Sequence, residues 1–135
     1  MQDCPLCQVV RGETEAHVLA ETERTAAFLD RHPATPGHTL VAPTTHRERL
    51  FAADGPASMA VLETVSRVAP AVREALSADG VSLFYSPGQL YGNVTHAHVH
   101  LVPRYTDDDI HLSLDREELA EAEAARLAAR ITDRL

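Results

Sequence analysis

The nine residues His96-Ala97-His98-Val99-His100-Leu101-Val102-Pro103-Arg104 restrict the fold of this chain more than any other stretch, because histidines recur at every second position with aliphatic residues between them. Side chains two residues apart on an extended strand point to one face, roughly 6.5–7 Å from one to the next. On a helix the same residues would scatter, with only His96 and His100 sharing a face. Aliphatic filler ending at Pro103 favours a strand end. The segment is therefore predicted as a strand that turns Ala97, Val99 and Leu101 to the core and a row of imidazoles to a cleft.

His96 to Val102 fits the pattern His-φ-His-φ-His-φ-φ, with φ hydrophobic, at all seven positions, and in this the chain resembles the histidine triad family. A second block resembles the same family: Phe28-Leu29-Asp30-Arg31-His32-Pro33, then Pro36-Gly37-His38-Thr39-Leu40-Val41-Ala42-Pro43, then His46. The resemblance implies a nucleotide-binding hydrolase or transferase in which His98 attacks an α-phosphate and forms a transient nucleotidyl-histidine, while His100 contacts the phosphate. It also implies that Asp30 hydrogen-bonds the ribose hydroxyls and that His38 is a fourth histidine beside the triad. Taken on residues alone, Asp30 could equally cap a turn and His38 could be satisfied inside the core. His32 reads as a solvent-facing loop residue.

The loop Ser86-Pro87-Gly88-Gln89-Leu90-Tyr91-Gly92-Asn93 departs from the family's commonest form, which carries Asn near Ser86 and Gly-Gln-Ser/Thr shortly before the triad. Asn93 is the first candidate for an amide that binds a phosphate oxygen, with Gln89 and Ser86 behind it. The tail His100-Leu101-Val102-Pro103-Arg104 looks more like the dinucleoside polyphosphate hydrolase branch than the purine nucleoside phosphoramidase branch, which tends to end in glycines. A regulatory module that binds nucleotide without turnover is a further alternative, although a binder has no need of the middle histidine.

Cys4-Pro5-Leu6-Cys7 is predicted as a tight turn in which both sulfurs face one point, a metal knuckle. A thioredoxin-like redox site would want a strand before it, and Gln2-Asp3 supplies none. Two unconnected buried thiols are the bland alternative. Zinc would need two more ligands, for which the candidates are histidines. The family's zinc-bearing members and the related galactose-1-phosphate uridylyltransferases imply His46 and His96, giving a closed structural zinc site that leaves His98 and His100 to catalysis. The rival arrangement is a zinc hydrolase built on the His-x-His pairs, which would need a third ligand and a base.

With 135 residues the chain is expected to form one domain, 1–135, of which the resemblance covers 1–105 and leaves 106–135 as an acidic loop and a C-terminal helix. A net charge of −8, with all 12 basic residues arginine, speaks against nucleic acid as a partner and is silent about a small nucleotide. No apolar run reaches the ~20 residues of a membrane span, and Met1-Gln2-Asp3-Cys4 lacks the character of a signal peptide, so a cytoplasmic protein is expected.

His17–Ala20 and Thr25–Leu29 read as strands around a hairpin turn, His38–Pro43 and Val81–Tyr85 as further strands, and Ala57–Ala78 as the principal helix, closing at Gly80 and kinked or split at Pro70. Thr106-Asp107-Asp108-Asp109 lacks the spacing of a calcium loop and reads as a solvated acidic loop. Asp115–Glu118 is expected to cap a helix running to about Arg134, with Leu119, Ala122, Ala125, Leu127, Ala128 and Ile131 buried. The sum is an α+β fold: about five antiparallel strands with the main helix and the C-terminal helix packed against them. The resemblance further implies a homodimer.

Overall fold

A computed structural model of the chain describes residues 4–51, 55–86 and 94–135. The elements run α1 (Pro5–Val10), β1 (Val18–Glu21), β2 (Thr25–Leu29), β3 (Thr39–Pro43), α2 (Pro56–Ala75), β4 (Gly80–Phe84), β5 (Val99–Arg104) and α3 (Glu121–Thr132). The strands form one five-stranded sheet in the order β1-β2-β3-β5-β4, with every neighbouring pair antiparallel. β5, last in sequence, lies between β3 and β4 and sets Val99 opposite Val41 and His100 opposite Leu40.

Alternation along the strands divides two apolar clusters between the two faces of this sheet. Ala27, Val41, Val99 and Leu101 pack with Val61, Val65, Val68 and Val72 of α2. Ala26, Phe28 and Ala42 face the other way and meet Leu6, Val9 and Val10 of α1. By the same alternation His100 stands on the α1 side, opposite the main helix. Thr25 bridges the helix side, its hydroxyl 2.6 Å from that of Thr64 and 2.8 Å from that of Thr22.

Four expectations are corrected. The Cys4–Cys7 segment is the start of a short helix, with Pro5 in its first turn and the Cys4 sulfur accepting from the Cys7 N–H at 3.4 Å. α2 is a single element through Pro70, because the carbonyl that Pro70 leaves without a donor belongs to Ser66 and both residues are exposed to water. Its C-terminus closes earlier than Gly80: Ser77 takes the left-handed conformation (φ 52), with Ala78 N–H on Arg73 O at 3.0 Å and Ser77 N–H on Glu74 O at 3.3 Å. That is a Schellman motif with serine where glycine is usual. Finally, α3 buries none of its residues, so the C-terminal helix is present but is not packed on the sheet.

Candidate active site and metal-ligand cluster

The triad is only partly a strand. β5 begins at Val99, so His96 and His98 lie in the irregular segment that leads into it. The alternation nevertheless holds through that segment, since Ala97, Val99 and Leu101 are all buried in the helix-side core. The Ala97 N–H bonds the Arg47 carbonyl at 2.6 Å, which ties this lead-in to the chain beyond β3.

Hydrogen bonds assign a tautomer to three imidazoles and to a fourth in sequence. His96 Nε2 lies 2.8 Å from the Pro43 carbonyl, so it carries the proton and leaves the Nδ1 lone pair. His98 Nδ1 lies 2.8 Å from the His96 carbonyl, which puts its proton there and the lone pair on Nε2. His38 Nδ1 accepts the Ala34 N–H at 3.0 Å, so its proton sits on Nε2, and that nitrogen is 2.9 Å from His100 Nδ1. His100 therefore accepts on Nδ1 and carries its own proton on Nε2. The result is a fixed polarity from Ala34 through His38 to His100.

Burial keeps this chain of imidazoles neutral. His100 is only 7 % exposed, and burial, followed by the neighbouring His98 and His38, pushes its pKa down to about 4, with the Asp30 carboxylate opposing. His38 is lowered as well, chiefly by burial and with Asp30 again opposing. The His98 and His100 ring centroids are 4.9 Å apart. Phe84 of β4, paired in register with His100, stacks on its ring at 4.5 Å and 10°. Sequence reading missed Phe84, and the available signal was the strand register, which only the sheet order supplies.

Asp30 sits beside this pair. Its Oδ1 accepts the His32 N–H at 2.9 Å, the turn-capping role, and its Oδ2 lies 3.7 Å from His38 Nε2. His32 itself is exposed, as expected. The loop between them depends on Gly37, whose φ of +98 suits glycine and where a Cβ would run into the Leu76 side chain. Thr35 pins that loop by donating its hydroxyl to the Pro103 carbonyl at 2.8 Å. Ser86 is exposed just past the end of β4, whereas Gln89 and Asn93 lie outside the described residues.

A second cluster joins α1 to the triad lead-in. The donor atoms of Cys4, Cys7, His46 and His96 all lie within 4.8 Å of one another. His96 Nδ1 is 3.4 Å from both sulfurs, and His46 Nδ1 is 3.4 Å from the Cys7 sulfur. The edges of a tetrahedral zinc site with sulfur and nitrogen ligands are about 3.5 Å, and the His96 tautomer turns a lone pair into the cluster while its N–H donates outward. The donor set fits a four-coordinate ion. Burial raises the Cys7 thiol, an effect that a bound cation would reverse.

Asp30, His38 and His100 also converge closely enough for a cation. There the proton inventory opposes one. Metal on His38 Nε2 would require the imidazole proton on Nδ1, where the Ala34 N–H already points a hydrogen. The two clusters thus differ in kind: one offers lone pairs inward, the other is a line of hydrogen bonds donated in one direction.

The HIT domain family model matches residues 11–107. An uncharacterized HIT-like protein of Saccharolobus solfataricus is 36% identical over 106 residues, covering 78% of this chain and 76% of its own. Among solved structures, a protein from Streptococcus mutans is 31% identical with a TM-score of 0.92 over 99% of this chain and 86% of its own. A HIT family member from Bacillus subtilis is 27% identical with a TM-score of 0.89 over 98% of this chain and 97% of its own.

Proposed function

This chain belongs to the HIT family, and from that premise we propose that it is a nucleotide hydrolase that works through a covalent nucleotidyl-histidine on His98. The observation that carries the proposal is the tautomer of His98: with Nδ1–H given to the His96 carbonyl, Nε2 holds the lone pair that an attack on phosphorus requires. In the first step a bond forms from His98 Nε2 to the α-phosphorus as the bond to the leaving group breaks. His100, with its proton on Nε2, is the donor proposed to face the phosphate, and His38 keeps it in that tautomer. Water then takes the nucleotidyl group and restores His98. Asp30, through the oxygen that the turn does not use, is proposed to receive the ribose hydroxyls, with Asn93, Gln89 and Ser86 toward the phosphates.

For the substrate we propose a dinucleoside polyphosphate, by the resemblance of the motif tail, so that a nucleoside polyphosphate departs. A phosphoramidate is the second reading, supported by the name of one matched relative, an adenosine 5′-monophosphoramidase of Schizosaccharomyces pombe at 27% identity, beside which an adenylylsulfatase of Arabidopsis thaliana matches at 30%. Both names share the adenylyl group and differ in what departs. The tail itself has structural work in this chain, since Pro103 O holds Thr35 and Arg104 holds Asp108, which weakens it as a reader of substrate.

Cys4, Cys7, His46 and His96 are proposed to hold one zinc ion, whose contribution is to fix α1 to the triad lead-in. Among the described residues no helix is long and apolar enough to cross a membrane, and a reducing cytoplasmic setting is proposed to keep both thiols available to the ion. A homodimer with nucleotide as the partner ligand completes the reading.

The test is product analysis with diadenosine polyphosphate, adenosine phosphoramidate and adenylyl sulfate side by side, on the wild type and on His98→Asn. The wild type should release AMP from at least one of them. His98→Asn should still bind nucleotide and lose turnover by several orders of magnitude. Near-normal steady-state hydrolysis by the variant would overturn the covalent route, and AMP release from none of the three would overturn the substrate class.

A further inference from the structure

The line of hydrogen bonds that ends on His100 starts from a backbone amide with little shelter of its own. Ala34 is exposed, yet its N–H must stay on His38 Nδ1, at 3.0 Å, for the protons of His38 and His100 to lie where they do. Water competes for a hydrogen bond at such a place. The bond therefore depends on the loop from Asp30 to His38 keeping one shape and one seat. A β-turn supplies the shape. The His38 N–H donates to the Thr35 carbonyl at 3.0 Å, with Pro36 and Gly37 between them and Gly37 at φ +98. Proline at the second position and a left-handed glycine at the third mark a type II turn. The Asp30 N–H on the His38 carbonyl at 2.8 Å closes the loop at its other end.

Those bonds are internal to the loop, and Thr35 supplies the seat. Pairing of β3 with β5 stops at Thr39 opposite Leu101. Two residues further along β5, the Pro103 carbonyl takes the Thr35 hydroxyl at 2.8 Å. Pro103 is fully buried, and a buried carbonyl that loses its donor is costly, so the bond resists exchange for water. Thr35 thus joins both halves of the arrangement. Its carbonyl holds the backbone of His38, and its hydroxyl holds the strand that carries His100.

The consequence of losing that seat follows from the proton inventory. Once the Ala34 N–H leaves Nδ1, His38 is free to carry its proton there and to turn a bare Nε2 toward His100. His100 would then donate from Nδ1 and keep a lone pair on Nε2, where a phosphate oxygen calls for a donor. The Asp30 carboxylate, 3.7 Å from His38 Nε2, favours the original arrangement by its charge but lies beyond hydrogen-bond range.

We propose that Thr35 is a positioning residue for this site: its hydroxyl, given to the Pro103 carbonyl, seats the turn that aims the Ala34 N–H at His38, and so keeps the proton of His100 on Nε2. Thr35 itself touches no reacting atom and acts through His38. The kinetic half of the test rests on the reaction proposed above, whereas the tautomer half requires no turnover.

The test uses the full chain with nitrogen-15 in its histidine rings, the His100 signals being assigned by their loss in His100→Asn. In the wild type His100 should show a protonated Nε2 and a bare Nδ1. Thr35→Val, which keeps the branched shape and removes the donor, should shift His100 toward the opposite tautomer, and Thr35→Ser, which keeps the hydroxyl, should not. With a substrate that the wild type turns over, Thr35→Val should lower kcat at least about tenfold and change KM far less, with Thr35→Ser restoring kcat. If Thr35→Val fails to fold, Thr35→Ala carries the same expectations. A wild-type tautomer in the valine variant, a serine variant as impaired as the valine one, an unchanged kcat beside a reversed tautomer, or loss of the fold in both the valine and alanine variants would each overturn the proposal. Turnover of no substrate by the wild type would overturn the reaction instead, and the tautomers would still decide the role of Thr35.

Discussion

His96 takes part in both clusters at once, through different atoms: its ring faces Cys4 and Cys7 while its backbone carbonyl holds His98. The arrangement lets one residue serve the proposed zinc and the proposed nucleophile with no conflict over protons. Phe84 is the residue that family pattern did not supply. Its stack over His100 removes one face of that imidazole from water and so adds to the burial that lowers its pKa. Phe84→Leu should therefore weaken the protomer by about 0.5–1.5 kcal/mol and let the His100 pKa rise toward its ordinary value. In a kcat/KM profile the acid limb should move to higher pH, and an unmoved limb would show that the stack has no part in holding His100 neutral. Asp30 illustrates why residue roles were hard to read in advance. One of its oxygens caps a turn and the other looks at His38, so the functional and the ordinary reading describe different atoms of one carboxylate.

At the level of elements, the helix α1 and the end of α2 give the sharpest expectations. Cys4→Ser removes one proposed zinc ligand and the sulfur that accepts the Cys7 N–H. It should lower the melting temperature and the bound zinc per chain together, yet keep measurable turnover in the cold, because the site as proposed is closed and would do no chemistry; wild-type melting in that variant would return the cysteines to plain buried thiols. Ser77→Gly should raise stability by about 0.5–1 kcal/mol by relieving a left-handed serine, measured as a higher denaturant midpoint with unchanged slope. The sequence pattern made the strands from Thr25 to Leu29 and Thr39 to Pro43 legible, because alternation and a terminal proline are local signals. The Schellman close at Ser77 was hidden, since glycine three residues later offered the better-known stop. The packing of α3 was misjudged for a related reason: an amphipathic pattern declares that a face will be covered and does not say by whom.

Across the whole molecule, the depressed His38 and His100 link folding to pH. Both are held neutral when folded and take up protons near pH 6.5 when unfolded, so the unfolded state binds more protons between there and about pH 4. Their contribution to stability is complete above pH 6.5 and is lost as pH falls through that window. Denaturation midpoints taken at intervals from pH 7.5 to pH 4.5 should decline on the acid side, and His100→Asn should make the decline shallower. An equal slope in that variant would remove His100 from the linkage. The strand order also has a consequence in time. β4 has β5 as its sheet neighbour, and β5 bonds both β3 and β4, so a growing chain synthesised only as far as β4 holds a strand with nowhere to pair. The pairing of residues 39–41 with 99–101 is long-range, the kind of contact that slows folding, and both histidine clusters need the segment from His96 onward. A nascent chain that ends before His96 holds Cys4, Cys7 and His46 without their fourth partner, and Asp30 and His38 without His100.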